Sequence, residues 1–143
     1  MSILHQTVLS VIEAYNLWDI EKIMAVRSPE CIHEMLPNTL GLAPMDNAAY
    51  ESWQKNTVIP MFRNLRIEVL DLVEDTKNNK VAVWAKSSAE SPTGPYGSEY
   101  MLVFHMNEEG DKLIRLREFA DSAYSHEFFA KLGKAMAEKP ADE

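Results

Sequence analysis

The sequence predicts an α+β fold in which helices grouped early in the chain pack on one face of a mostly antiparallel sheet. Three observations predict it. Apolar residues recur at helical spacing from Ile3 to Met24. Alternating, β-branched runs dominate from Leu65 to Phe119, and turn-forming clusters cut that second half into hairpins. At 143 residues the chain has the size of one domain, read here as a single domain over 1–143 with a frayed tail at about 138–143.

The elements follow in order. Ile3, Leu4, Thr7, Val8, Val11, Ile12 and Tyr15 form one apolar stripe of an amphipathic helix. Asp19 is placed to cap a second short helix, which Ser28-Pro29 stops. Cys31 to Leu36 reads as a short strand, and Pro37-Asn38, Gly41 and Pro44 mark a loop into a third helix near Met45 to Phe62. Asp46 would cap that helix, Pro60 would end or kink it, and Tyr50, Trp53, Thr57 and Met61 share one of its faces. Ile67–Val73 and Val81–Ala85 form a hairpin about Asp75–Asn79. A loop at Ser91–Gly97, a strand at Tyr100–Phe104, a turn at Asn107–Gly110, a strand at Leu113–Phe119 and a helix at Ser122–Met136 complete the chain.

Composition narrows the function. The net charge of −8, the pI near 5.0 and the lack of any Lys/Arg cluster longer than Arg115-Leu116-Arg117 argue against nucleic acid or an anionic membrane as partner. One cysteine, Cys31, excludes an internal disulfide and fits a reducing compartment. No segment approaches the roughly 18 apolar residues of a membrane span, so the expected location is cytoplasmic. No metal ligand set, Gly-rich phosphate loop or Gly-x-Ser-x-Gly elbow is present, so no metal and no cofactor is expected.

The last strand is the most informative segment. If Leu116 points to the core, Glu118 does too, because side chains repeat every second residue. A carboxylate in an apolar interior is costly unless paired, and such a group suits proton transfer. Asp121 would lie on the opposite face unless the strand breaks near Ala120; capping the terminal helix is an equal reading. His33 alternates with Cys31 and Met35, which puts it on the more buried side of its strand, where an imidazole could move a proton. The candidate catalytic residues are therefore His33, Glu118 and Asp121. Tyr15, Tyr50, Trp53, Met61, Phe62, Tyr96, Tyr100 and Leu116 are candidate walls of a pocket for a small lipophilic substrate. Trp84 shares a strand face with Ala82 and Lys86, which reads as exposed or as part of a subunit contact.

The segments Ser28-Pro-Glu-Cys-Ile-His33, Pro37 to Gly41, Gly94-Pro-Tyr-Gly-Ser-Glu-Tyr100 and Arg117-Glu-Phe-Ala-Asp-Ser122 resemble the SnoaL-like branch of the nuclear transport factor 2-like superfamily. Within it, Gly94-Pro-Tyr96, Glu99-Tyr-Met101 and Glu118-Phe-Ala-Asp-Ser-Ala-Tyr124 are most similar to fungal isomerases and cyclases of meroterpenoid and polyketide pathways. The resemblance implies three N-terminal helices packed on a curved sheet that forms a cone with an internal cavity, usually as a homodimer. It also implies a cofactor-independent acid–base site made from Asp, Glu, His and Tyr. Ketosteroid isomerases carry a carboxylate base after the first strand, where this chain offers His33 and Met35, so the acid would come from Glu118 or Asp121. The expected activity is isomerisation or cyclisation of a polycyclic, oxygenated natural-product intermediate. A non-catalytic ligand-binding or dimerisation module, or a dehydratase or epoxide hydrolase, is the alternative.

Overall fold

The architecture comes from a computed structural model that describes residues 1–138; of the expected frayed tail, all but residue 138 lies outside the described residues. Ser2 accepts a hydrogen bond from the His5 N–H and starts α1 (Ile3–Asn16), whose stripe of Leu4, Val8, Val11 and Ile12 is buried. Asp19 caps α2 (Ile20–Ala25) through the N–H groups of Glu21 and Lys22. The first strand, β1 (Arg27–Leu36), follows at once. It starts at Arg27, ahead of the expected Cys31, and carries Pro29 within it. The register is irregular between Arg27 and Ile32, which tolerates a residue with no N–H.

Asp46 accepts from the Ala49 N–H at 2.9 Å and opens α3 (Asn47–Trp53). The helix expected over Met45–Phe62 is divided: a wide π turn covers Gln54–Val58, and the last turn is α4 (Ile59–Met61), containing Pro60. Pro60 cannot donate to the preceding turn, which accounts for the break.

The strands β2 (Arg63–Asp75), β3 (Lys80–Ser91), β4 (Gly94–Met106) and β5 (Leu113–Ala120) complete a five-stranded sheet in the order β1-β5-β4-β3-β2. All neighbours are antiparallel except β1 and β5, which run parallel. The segment Ser91–Gly97, expected as a loop, turns only at Pro92-Thr93, and Gly94 to Gly97 pair with Ser91 to Ser88. Before Tyr100, β4 has no β5 partner, so the missing N–H of Pro95 costs no ladder bond. Last comes α5 (Ser122–Ala137).

One face of the sheet carries Val81, Val83 and Ala85 of β3, Leu102 and Phe104 of β4, and Leu113 and Leu116 of β5 against the stripe of α1. Burying each of the valine, leucine, isoleucine and phenylalanine side chains contributes about 1.5–3 kcal/mol, enough to make this contact the main organiser of the fold. A second cluster of Val58, Phe62, Ala89, Tyr96 and Leu132, with Phe128 and Phe129, ties α5 to the far end of β3 and β4. No helix among the described residues is long and apolar enough to cross a membrane.

Candidate active site

Between helices and sheet lies a pocket of about 490 Å³. Its walls are mostly apolar, from Val11 and Ile12 of α1, Leu65 and Ile67 of β2, Leu102 and Phe104 of β4, and Leu116 of β5. Polar groups enter at a few points only. Alternation along β5 turns Glu118 inward after Leu116, as strand parity requires, and Tyr15 enters from the C-terminal turn of α1 one helical step beyond Val11 and Ile12.

His33 meets Glu118 because β1 and β5 are parallel neighbours, with His33 opposite Leu116 and Met35 opposite Glu118. The His33 Nε2 lies 3.3 Å from Glu118 Oε1. The histidine side chain is 2% exposed and the glutamate 21%. His33 is thus sealed behind the wall while Glu118 faces the pocket. The imidazole stacks on the Tyr50 ring at 4.5 Å between centroids, its backbone is tied to Met45, and its Nδ1 has no partner among the described residues.

Within the field of the carboxylate runs a hydrogen-bonded chain. The Gln54 amide donates to the Tyr50 hydroxyl at 2.9 Å, and the Tyr50 and Tyr15 hydroxyls are in direct hydrogen bond. Burial pushes the Tyr15 phenol up to about 12; the Tyr50 hydrogen bond and the Arg27 cation oppose that shift, and Glu118 adds to it. Burial also drives the Tyr50 phenol well above its ordinary value, helped by Tyr15 and Glu118. The Tyr100 phenol is raised too, by burial first and Glu118 second; its hydroxyl shares a 2.8 Å hydrogen bond with Ser87. These phenols are therefore neutral donors at any working pH, and all feel Glu118.

Arg27 stands behind Tyr50. Its guanidinium is 4.2 Å from the Tyr50 ring centroid, its Nε donates to Asn47 Oδ1 at 2.8 Å, and its two terminal nitrogens have no partner among the described residues. With no counter-ion among the described residues, a buried cation is costly, and the ring face of Tyr50 and the Asn47 hydrogen bond compensate it.

Of the candidates from sequence, Glu118, Tyr15, Tyr50, Trp53, Phe62, Tyr96, Tyr100 and Leu116 line the pocket. His33 reaches it only through Glu118. Met61 does not line it and packs instead against the cluster of Val58, Phe62, Ala89, Tyr96 and Leu132. Asp121 does not line it either: its carboxylate caps α5 by accepting from the Tyr124 N–H at 3.2 Å, and the residue is exposed. Arg115 and Arg117 point to the other face of the sheet, where both pair with Glu34. Sequence reasoning missed Gln54, although it lies four residues after Tyr50 on a helical face. It also missed Arg27, for which no local pattern exists, and the rim formed by Ser122, Ser125 and His126 of α5.

Helices laid on one face of a curved five-stranded sheet define a nuclear transport factor 2-like protein. No protein-family model matches the chain. Core atranone cluster (CAC) protein 11 of Stachybotrys chlorohalonatus is 34% identical over 126 residues, which span 88% of this chain and 93% of that protein. Austinoid biosynthesis clusters protein S of Emericella nidulans is 31% identical over 138 residues, spanning 91% and 94%. Among solved structures, the BvnE pinacolase of Penicillium brevicompactum matches with a TM-score of 0.87 at 29% identity over 93% of this chain and 92% of its own. Other relatives, at 25–27% identity, carry the name monooxygenase. The chain belongs to the SnoaL-like branch of the nuclear transport factor 2-like superfamily, among proteins of fungal meroterpenoid pathways.

Proposed function

We propose that this protein is an enzyme of secondary metabolism, an isomerase or cyclase that moves protons on a lipophilic, oxygenated polycyclic intermediate without a cofactor. The observation that carries this reading is Glu118 in the wall of an apolar pocket, held by His33 and faced by buried neutral phenols. The pathway names of the relatives and the pinacolase name of one solved neighbour support a reaction on a natural-product skeleton that gives an isomeric product.

In this reading the Glu118 carboxylate takes a proton from a carbon next to a carbonyl and returns it elsewhere on the skeleton. With Gln54 donating to Tyr50, the Tyr50 proton goes to the Tyr15 oxygen, and the Tyr15 proton is left for the substrate carbonyl, where enolate charge develops. His33 is a positioning residue that fixes the carboxylate. Asp121 serves the helix and takes no part in the chemistry. The pocket shape selects the reactive conformer.

The test is incubation with oxygenated terpenoid and polyketide intermediates in plain buffer, followed by mass-neutral product analysis. A product isomeric with its substrate is expected, and Glu118→Gln is expected to slow its formation by about 10²–10⁴-fold while leaving the circular dichroism spectrum unchanged. Full turnover by Glu118→Gln overturns the mechanism, and a ligand bound but recovered unchanged favours the binding-module alternative. Oxygen uptake during turnover would favour the chemistry named for the more distant relatives.

A further inference from the structure

The pocket has a one-sided charge. Among the described residues that line it, Glu118 is the single carboxylate, and no lysine or arginine is present; the other polar groups are neutral hydroxyls, the Gln54 amide, the indole N–H groups of Trp18 and Trp53, of which that of Trp18 is taken by the Phe62 carbonyl, and the His126 imidazole. The buried cation Arg27 does not line the pocket, since the Tyr50 ring and Asn47 hold it. His33, the group in contact with Glu118, is sealed from it as well. An anionic group on a ligand would have to leave water, find no cation and lie in the field of Glu118, within a chain whose net charge is already −8. A carbonyl, ether, ester or alcohol meets no such cost, because the phenols and serines answer it with neutral hydrogen bonds.

We propose that this pocket admits only uncharged substrates, with Glu118 acting as the residue that rejects carboxylates and phosphates. The proposal rests on the acid–base reading of the pocket and extends it to specificity. It also fixes a place in a reaction sequence. A precursor that bears a free carboxylic acid must first pass through an ester- or lactone-forming step, in which an alcohol oxygen bonds to the carboxyl carbon and water leaves.

Two dyes with the same aromatic body test it: phenylnaphthylamine, which is neutral, and anilinonaphthalenesulfonate, which carries one sulfonate. Fluorescence titration of the full chain is expected to show the neutral dye binding at least about tenfold more tightly, a gap set by one like-charge contact in a poorly hydrated site. Glu118→Gln should close most of that gap by strengthening the sulfonate dye alone. Ala120→Phe, which fills the pocket from the end of β5, should abolish binding of the neutral dye and so separate the pocket from the apolar outer face. In competition at about pH 8, methyl dehydroabietate should displace the neutral dye and the free acid, ionised there, should not. Equal affinity for the two dyes, an unchanged ratio in Glu118→Gln, displacement by the free acid, or neutral-dye binding indifferent to Ala120→Phe each overturns the proposal. Because the readout is binding, its failure is distinct from that of the catalytic reading, which turnover by Glu118→Gln decides.

Discussion

At the scale of the residue, the phenols give the most direct check on the site. Tyr15 is raised from 10.0 to about 12 in the folded chain, so between those values the folded state holds a proton that the unfolded state has lost. Its contribution to stability is complete below about pH 10 and disappears as pH rises through 12. Tyr50 and Tyr100 shift the same way, so denaturant midpoints are expected to fall steeply on the alkaline side. Tyr15→Phe should make that fall shallower, and a slope identical to that of the parent chain would show that Tyr15 does not titrate with folding. The same variant should lower turnover by about 10²–10³-fold, as expected for loss of one preorganised donor to a developing oxyanion. Glu118 was legible from sequence because β parity depends only on neighbours in the chain. The Tyr15–Tyr50 hydrogen bond was not, because it joins α1 to α3 across 35 residues and depends on how two helices pack.

At the scale of the element, the end of β5 and the start of α5 decide what Asp121 is for. The strand runs to Ala120 and the helix starts at Ser122, which leaves Asp121 as the cap and its carboxylate outside the pocket. Asparagine caps as well as aspartate does, whereas alanine loses about 1 kcal/mol. Asp121→Asn should therefore keep both the melting temperature and turnover, and Asp121→Ala should lower stability by about that amount with turnover retained. A large loss of turnover in Asp121→Asn, with the fold intact, would return this carboxylate to the mechanism. Both readings were open from sequence, since the choice depends on where a strand ends, and boundaries are fixed by pairing partners. The same limit hid the start of β4, where Gly94 and Pro95 look like loop residues until β3 supplies the pairing. Pairing of β1 with β5, which brings His33 to Glu118, links segments too far apart for any local pattern to show.

At the scale of the whole molecule, the sheet face turned away from α1 has no cover among the described residues. Trp84, Met101 and Phe119 are register neighbours across β3, β4 and β5, and they are 43%, 47% and 51% exposed. Val73 and Leu70 extend the apolar area along β2. A contiguous row of large apolar side chains on one sheet face is unusual for a monomer and matches the buried centre of a subunit contact. The sequence pointed to Trp84 alone, because the neighbours that make it part of a row lie on other strands. We infer that a second copy of the chain packs here face to face, as a two-fold contact in which each row meets its counterpart. Trp84 donates to Glu99 at 2.7 Å, which satisfies the indole N–H and leaves the ring's apolar surface for a contact. Sedimentation equilibrium is expected to give twice the mass of one chain. Met101→Lys places a like charge against its own symmetry mate and should yield monomers, with the pocket residues on the opposite face undisturbed. If Met101→Lys and Trp84→Lys both sediment as the parent does, whether that is a monomer or a dimer, this face is not the contact.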